Sequence, residues 1–142
     1  MTVLDFIAST QELYNRSISK VCNKYELTNM EMAIILFLAN NPQYDTATDI
    51  VNKRHLTKSH VSTSIRSLEE KNYLKKEYRN GDHRTYHLVL LPASKKMVKD
   101  GQKAQKAFLN VLTKDFTASE LGMMQKYLQH VYDNVIKELS NK

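Results

Sequence analysis

Residues 57–71, TKSHVSTSIRSLEEK, constrain the fold more than any other stretch. Val61, Ile65 and Leu68 recur at i, i+4 and i+7, the stripe of a helix with one face in a core. The other face carries Lys58, Ser59, His60, Ser62, Thr63, Arg66 and Ser67. Small hydroxyl side chains let a helix approach another surface closely, and the cations between them favour an anionic one. The major groove of DNA admits an α-helix and presents donors and acceptors on base edges. Thr57 is placed to N-cap the helix through its hydroxyl, and Asn72 is a left-handed stop. About fourteen residues at about 1.5 Å each span roughly 21 Å, enough to lie along a groove. A solvated amphipathic helix would carry the same face, so the choice rests on what surrounds it.

Upstream, residues 4–25 form a long helical pattern in which Phe6, Leu13, Tyr14, Ile18, Val21, Cys22 and Tyr25 recur at three- and four-residue steps. A long terminal helix must bury its stripe somewhere, and a partner subunit is a natural place. Thr28 and Glu31 make a capping box ahead of residues 32–39, MAIILFLA, which are apolar on every side and read as a central buried helix. Asn41 before Pro42 ends it. Residues 46–53 form a short helix with Thr46 as its cap, Asp49 three residues on, and Ile50 and Val51 toward the core. A tight connection through Arg54, His55 and Leu56 then leads into 57–71, which makes a helix-turn-helix pattern.

After Asn72 the period changes to that of strands, over 73–79 and 84–91, with Tyr86, Leu88 and Leu90 alternating. Asn80-Gly81 between them is a hairpin signal, because both residues tolerate positive φ. Its tip, RNGDHR, is basic. A hairpin following a helix-turn-helix is a wing. Residues 94–113 read as a helix with Met97, Ala104, Ala107, Phe108, Val111 and Leu112 on one side and Gly101 as a weak spot. Thr117 and Glu120 open a last helix whose Leu121, Met124, Leu128, Val131, Tyr132, Val135 and Leu139 fall near heptad spacing.

The 142 residues suit one domain, 1–142, with a sizeable core. The expected class is mainly α (α+β), a winged helix-turn-helix core with a two-stranded wing. Charge is unevenly placed. Residues 53–87 hold nine Lys or Arg against four acidic residues, while the remainder holds twelve against eleven. Such concentration is the electrostatic footprint of nucleic-acid binding, although a solvated basic face would look the same. One cysteine, Cys22, excludes an internal disulfide and a cysteine-cluster zinc site. No apolar run approaches the ~20 residues of a membrane span. No secretory signal is read at the start, so cytoplasmic residence is expected.

This order of elements resembles the MarR family of winged-helix transcriptional regulators. The resemblance rests on Leu27-Thr28-Asn29-Met30-Glu31-Met32 opening the buried helix, on Val61-Ser62-Thr63-Ser64-Ile65-Arg66-Ser67-Leu68-Glu69-Glu70-Lys71-Asn72-Tyr73-Leu74, and on Asp82-His83-Arg84 in the wing. It implies a homodimer joined through 1–27 and 94–142, with 28–92 as the DNA-binding region. It further implies an inverted-repeat operator in double-stranded DNA, repression, and release by a small molecule or by thiol oxidation. The departures are Asn72 and Ser94, where glycine is common in the family, and Cys22, which lies near the end of the first helix rather than near its start.

The expected DNA-binding set is Thr57, Lys58, Ser59, His60, Ser62, Thr63, Arg66, Arg79, Asp82 and Arg84. Ser59, His60, Ser62 and Thr63 are candidates for base edges, and Lys58 and Arg66 for bases or phosphates. Arg84 matches the family's minor-groove arginine, since a narrow A·T-rich groove attracts such a cation. Asp82, an acid in a basic tip, is expected to orient Arg84 or to shape the turn. Tyr14, Tyr25 and Tyr132 are candidates for an aromatic or phenolic effector pocket, with core packing as the other reading. Cys22 on an apolar stripe reads as a small buried hydrophobe. His83 and His87 share a strand face with Arg84 between them, and no metal site or cofactor is assigned.

Three scattered glycines offer no phosphate-cradling loop, and there is no Gly-x-Ser-x-Gly or His-Glu-x-x-His motif, so an enzyme is not expected. The rival readings are a winged helix used as a protein-interaction module and a nonspecific DNA-binding protein. Lys58, Arg66, Arg79 and Arg84 together argue against the first.

Overall fold

The computed structural model describes residues 1–141, which hold six α-helices, a two-stranded sheet and one 3-10 turn. By internal contacts the chain divides into two compact units, Met1–Phe108 and Leu109–Lys142.

In the first unit, α1 (Val3–Tyr25) starts in a capping box between Thr2 and Asp5. Its C-terminal half buries Ile18, Val21 and Cys22, whereas Val3, Leu4, Phe6 and Ile7 stay exposed. Glu26 ends it in the left-handed region. The Thr28–Glu31 box then forms as expected and opens α2 (Asn29–Asn40). Met32 and Ile34–Leu38 of α2 lie at the centre of a core that also takes Ile50, Val61, Ile65, Leu68, Leu74, Leu88 and Met97. The short α3 (Ala47–Arg54) is boxed by Thr46 and Asp49, and His55 turns the chain at φ 54° into α4 (Lys58–Glu70).

Asn72 takes positive φ, so the chain leaves α4 abruptly into β1 (Leu74–Arg79). Asn80 and Gly81, at φ 55° and 73°, turn it back into β2 (Asp82–Leu90). Both central residues at positive φ match the twist that a tight hairpin demands. The strands pair antiparallel with Leu74 opposite Leu90 and Arg79 opposite Asp82, broken by an irregularity between Glu77 and Arg79. β2 starts two residues earlier than its alternation shows, so Asp82 and His83 are strand rather than loop.

The helix expected from residue 94 starts one residue later. Pro92–Ser94 form a 3-10 turn, and the buried Ser94 hydroxyl donates to the Leu91 carbonyl at 2.8 Å. In α5 (Lys95–Leu112) Gly101 is no weak spot. It is buried, and a Cβ there would lie 2.7 Å from Leu36 Cδ2. Glycine is what lets α5 approach α2.

In the second unit, the Thr117–Glu120 box opens α6 (Ala118–Ser140), as its sequence predicts. No residue of α6 is buried, and Met123, Tyr127, Leu128, Val131, Tyr132, Val135 and Leu139 are exposed apolar side chains along it. No described helix is long and apolar enough to cross a membrane.

Candidate nucleic-acid interface

α4 divides as its periodicity requires. Val61, Ser64, Ile65 and Leu68 are buried, while Lys58, Ser59, His60, Thr63 and Arg66 are exposed. Ser62 is half-buried. Thr57 occupies the N-cap position, but its hydroxyl makes no cap bond, and it stays exposed. That corrects the capping expectation, because a ψ of 127° sets the residue at the helix start without aiming its side chain at the first amides.

Ser67 also departs from the expected outer face. Its hydroxyl donates to Glu31 Oε2 at 2.8 Å, and Lys71 Nζ reaches the same oxygen at 3.0 Å. Glu31 is only 3% exposed and accepts the Thr28 amide as well. Burial pushes this carboxyl's pKa up, yet the Thr28 amide, Lys71 and Ser67 outweigh it and hold it below the usual glutamate range. The cluster ties the start of α2 to the end of α4, which fixes the angle at which α4 is presented.

One open groove is lined by Lys58 and Ser62 of α4, Thr48 and Asn52 of α3, and Arg84, Thr85 and Tyr86 of the wing. It brings together three residues of the expected set. Thr48 and Asn52 are uncharged, and the cations of α3, Lys53 and Arg54, lie in its last turn, so no local signal marks these two as groove residues. Arg84 is 96% exposed at the side chain. Asp82 Oδ1 accepts the Arg84 amide at 2.8 Å and lies 3.8 Å from Arg84 Nε. The carboxylate thus bonds the backbone at Arg84, while the guanidinium is outside hydrogen-bond reach of it and stays free to solvent.

Arg79 is placed differently from the exposed cations. Its Nη1 donates to Asp45 Oδ2 and its Nε to Glu77 Oε1, each at 3.0 Å. Its charge is offset within the fold, which spacing along the hairpin does not reveal. Asp45 Oδ1 lies 2.7 Å from His87 Nδ1. Burial raises the Asp45 pKa, but the bonds to His87 and Arg79 win and lower it overall. Asp45 is the residue the sequence hid. Its partners lie 34 and 42 positions away, and no local pattern links them.

His83 and His87 take separate partners. The His83 ring lies 5.9 Å from that of Tyr78, and His87 is held by Asp45. No group of three His, Cys, Asp or Glu suited to a metal occurs among the described residues.

Of the three effector candidates, Tyr14 and Tyr25 lie in the first unit and each has its own polar partner. The Tyr14 hydroxyl accepts from Gln105 Nε2 at 3.0 Å, and its ring packs edge-on against Phe108 at 5.2 Å. The Tyr25 hydroxyl donates to Asp100 Oδ2 at 2.6 Å. Tyr132 is an exposed residue of the second unit. Cys22 is buried, and burial raises its thiol pKa.

A family model described as the MarR family matches residues 25–85. No curated protein matches the chain by sequence. Solved structures do match by fold. The MarR crystal structure is 15% identical with a TM-score of 0.77, covering 100% of this chain and 96% of that one. A putative MarR-family transcriptional regulator from Listeria monocytogenes, complexed with 26mer DNA, is 15% identical with a TM-score of 0.81, covering 97% and 91%. The S. aureus MepR–DNA complex is 19% identical with a TM-score of 0.74, covering 92% and 93%. By sequence residues 25–85 match the MarR family model, and the chain as a whole has the winged helix-turn-helix fold of the solved MarR-family structures.

Proposed function

We propose that this chain is a sequence-specific DNA-binding transcriptional regulator, a repressor that binds an inverted-repeat operator as a homodimer. One observation carries the reading. The polar face of α4 stands exposed beside the exposed Arg84, and Lys58, Ser62 and Arg84 line one groove. In this reading α4 enters the major groove and Arg84 the adjacent minor groove. Lys58 and Arg66 neutralise phosphates or reach bases, and Ser59, His60, Ser62 and Thr63 meet base edges. Two of the similar structures are complexes with DNA, which supports the same use of the fold here.

The homodimer reading rests on apolar surface. Val3, Leu4, Phe6 and Ile7 of α1, and separately Leu128, Val131, Val135 and Leu139 of α6, are about half or more exposed. Monomeric soluble proteins rarely leave so many large apolar residues contiguous on one face. Sedimentation of the intact chain tests this part, with a dimer expected and a monomer at micromolar concentration against it. Release by an aromatic or phenolic effector, a single functional domain over 1–142 and residence in the cytoplasm complete the reading.

Selection of bound duplexes from a random DNA pool, at near-physiological salt, tests the function. Salt suppresses binding to phosphates alone. An enriched inverted repeat, with half-sites about one helical turn apart, is expected. Retention of DNA with no enriched sequence would reduce the activity to nonspecific binding. No retention at all would favour a protein-interaction module.

A further inference from the structure

We propose that Asp45 is a positioning residue for DNA binding, a clamp that sets the wing, and with it Arg84, against the helix-turn-helix. The inference rests on the reading of Arg84 as a DNA contact. Asp45 lies between α2 and α3 and directly precedes Thr46, the cap of α3. Each of its carboxylate oxygens holds a different wing strand. Oδ2 takes Arg79 Nη1 of β1 at 3.0 Å, and Oδ1 takes His87 Nδ1 of β2 at 2.7 Å. Its backbone carbonyl accepts the Leu88 amide at 2.8 Å, so main chain and side chain grip the hairpin together.

The grip extends to the tip. Arg79 is the last residue of β1 and pairs with Asp82, the first of β2. Asp82 in turn holds the Arg84 amide at 2.8 Å. A path of side-chain bonds and strand pairing thus runs from the start of the helix-turn-helix through Asp45, Arg79 and Asp82 to Arg84. A two-stranded ribbon on its own is flexible and marginally stable. Its angle to α4 must be set by something outside it, and Asp45 supplies side-chain bonds to both strands. The carboxylate is 23% exposed, so water competes with these bonds only partly.

The sign of the effect separates this role from plain electrostatics. Removing an acidic residue from a DNA-binding protein ordinarily strengthens binding, because fewer negative charges oppose the phosphates. If Asp45 positions the wing, its removal weakens binding instead. Asn is the conservative variant, since its amide oxygen accepts from Arg79 while its NH2 meets the unprotonated Nδ1 of the other His87 tautomer.

The test is a double-mutant cycle on the intact chain, with the best duplex from the random-pool selection as probe. Asp45→Ala is expected to weaken binding about tenfold. In an Arg84→Ala background the same change is expected to cost under about twofold, because a wing without its arginine has nothing left to aim. Paired with Lys58→Ala, the losses should simply multiply, and Asp45→Asn should restore most of the affinity. Unchanged or tighter binding by a folded Asp45→Ala chain overturns the proposal, as does a loss that multiplies with that of Arg84→Ala. If Arg84→Ala alone leaves affinity unchanged, the wing contact is wrong and the clamp falls with it. Should Asp45→Ala fail to fold, His87→Ala, which removes one leg of the clamp, takes its place with the same expected non-additivity.

Discussion

Leu36 of α2 closes so tightly over Gly101 of α5 that a methyl group on the glycine would lie 2.7 Å from its Cδ2 and 3.2 Å from its Cγ. Leu36 is 3% exposed, so its side chain has little room to retreat. Two effects then oppose each other in Gly101→Ala. Helix propensity favours alanine by about 1 kcal/mol. Overpacking costs about 1–3 kcal/mol. A net destabilisation of up to about 2 kcal/mol is expected in denaturant unfolding, and Leu36→Val in the same chain should recover part of it. A more stable Gly101→Ala chain would show that α5 shifts freely.

The two wing arginines are expected to answer to different measurements. Arg84 is solvent-exposed at its side chain, and Asp82 accepts its backbone amide. Arg84→Ala should therefore weaken binding of the selected duplex by about 1–3 kcal/mol and leave the denaturation midpoint in place. Arg79 is bound by Asp45 and Glu77. These pairs are partly exposed, so Arg79→Ala should lower stability by no more than about 1 kcal/mol. As a leg of the Asp45 clamp, Arg79 should also lose affinity when truncated, but only while Arg84 is present; a loss that persists in an Arg84→Ala background would place Arg79 among the direct DNA contacts instead.

Glu31 predicts an acid limit to stability. Its folded carboxyl sits below the usual range because the Thr28 amide, Lys71 and Ser67 outweigh burial. A depressed carboxyl stabilises the fold fully above the unfolded glutamate range, and that contribution is lost as pH falls through the folded value. Glu31→Gln should cost about 1–3 kcal/mol at neutral pH, since a charged acceptor of several donors is lost. Below the folded value the two chains should converge. Parallel urea midpoints from pH 7 down to pH 3 would disprove the linkage.

Cys22 should be slow to react. It is 3% exposed, its pKa is raised by burial, and its Sγ lies 3.9 Å from the Thr28 carbonyl. The thiolate is the reactive form, and burial in an apolar setting disfavours it. Labelling by an aromatic disulfide should need denaturant, and mild peroxide should leave duplex binding unchanged. Rapid labelling of the native chain would reopen a redox role. Cys22→Ala should cost roughly 1 kcal/mol or more by leaving a small void.

The element order was legible in the sequence because its signals are local. Capping boxes at Thr28, Thr46 and Thr117 join residues three apart, and all three form. The stripe of Val61, Ile65 and Leu68 needed only helical geometry to place those residues in the core. Asn80-Gly81 needed only its tolerance of positive φ. Thr57 shows the limit even of local reasoning, since a capping residue type stands at the cap without the bond.

What the sequence determined by itself was therefore the run of helices and strands, the core stripes and the exposed polar face of α4, all set by interactions within about one or two helical turns. Tertiary structure alone decided which distant residues meet. Ser67 turned inward to Glu31, 36 positions away, and Arg79 and His87 converged on Asp45. Gly101 became the contact that admits α5 rather than a weak point in it. The physical reason is the same in each case. A polar or small residue carries no mark of its partner until the chain folds, when burial requires every donor, acceptor and void to be matched.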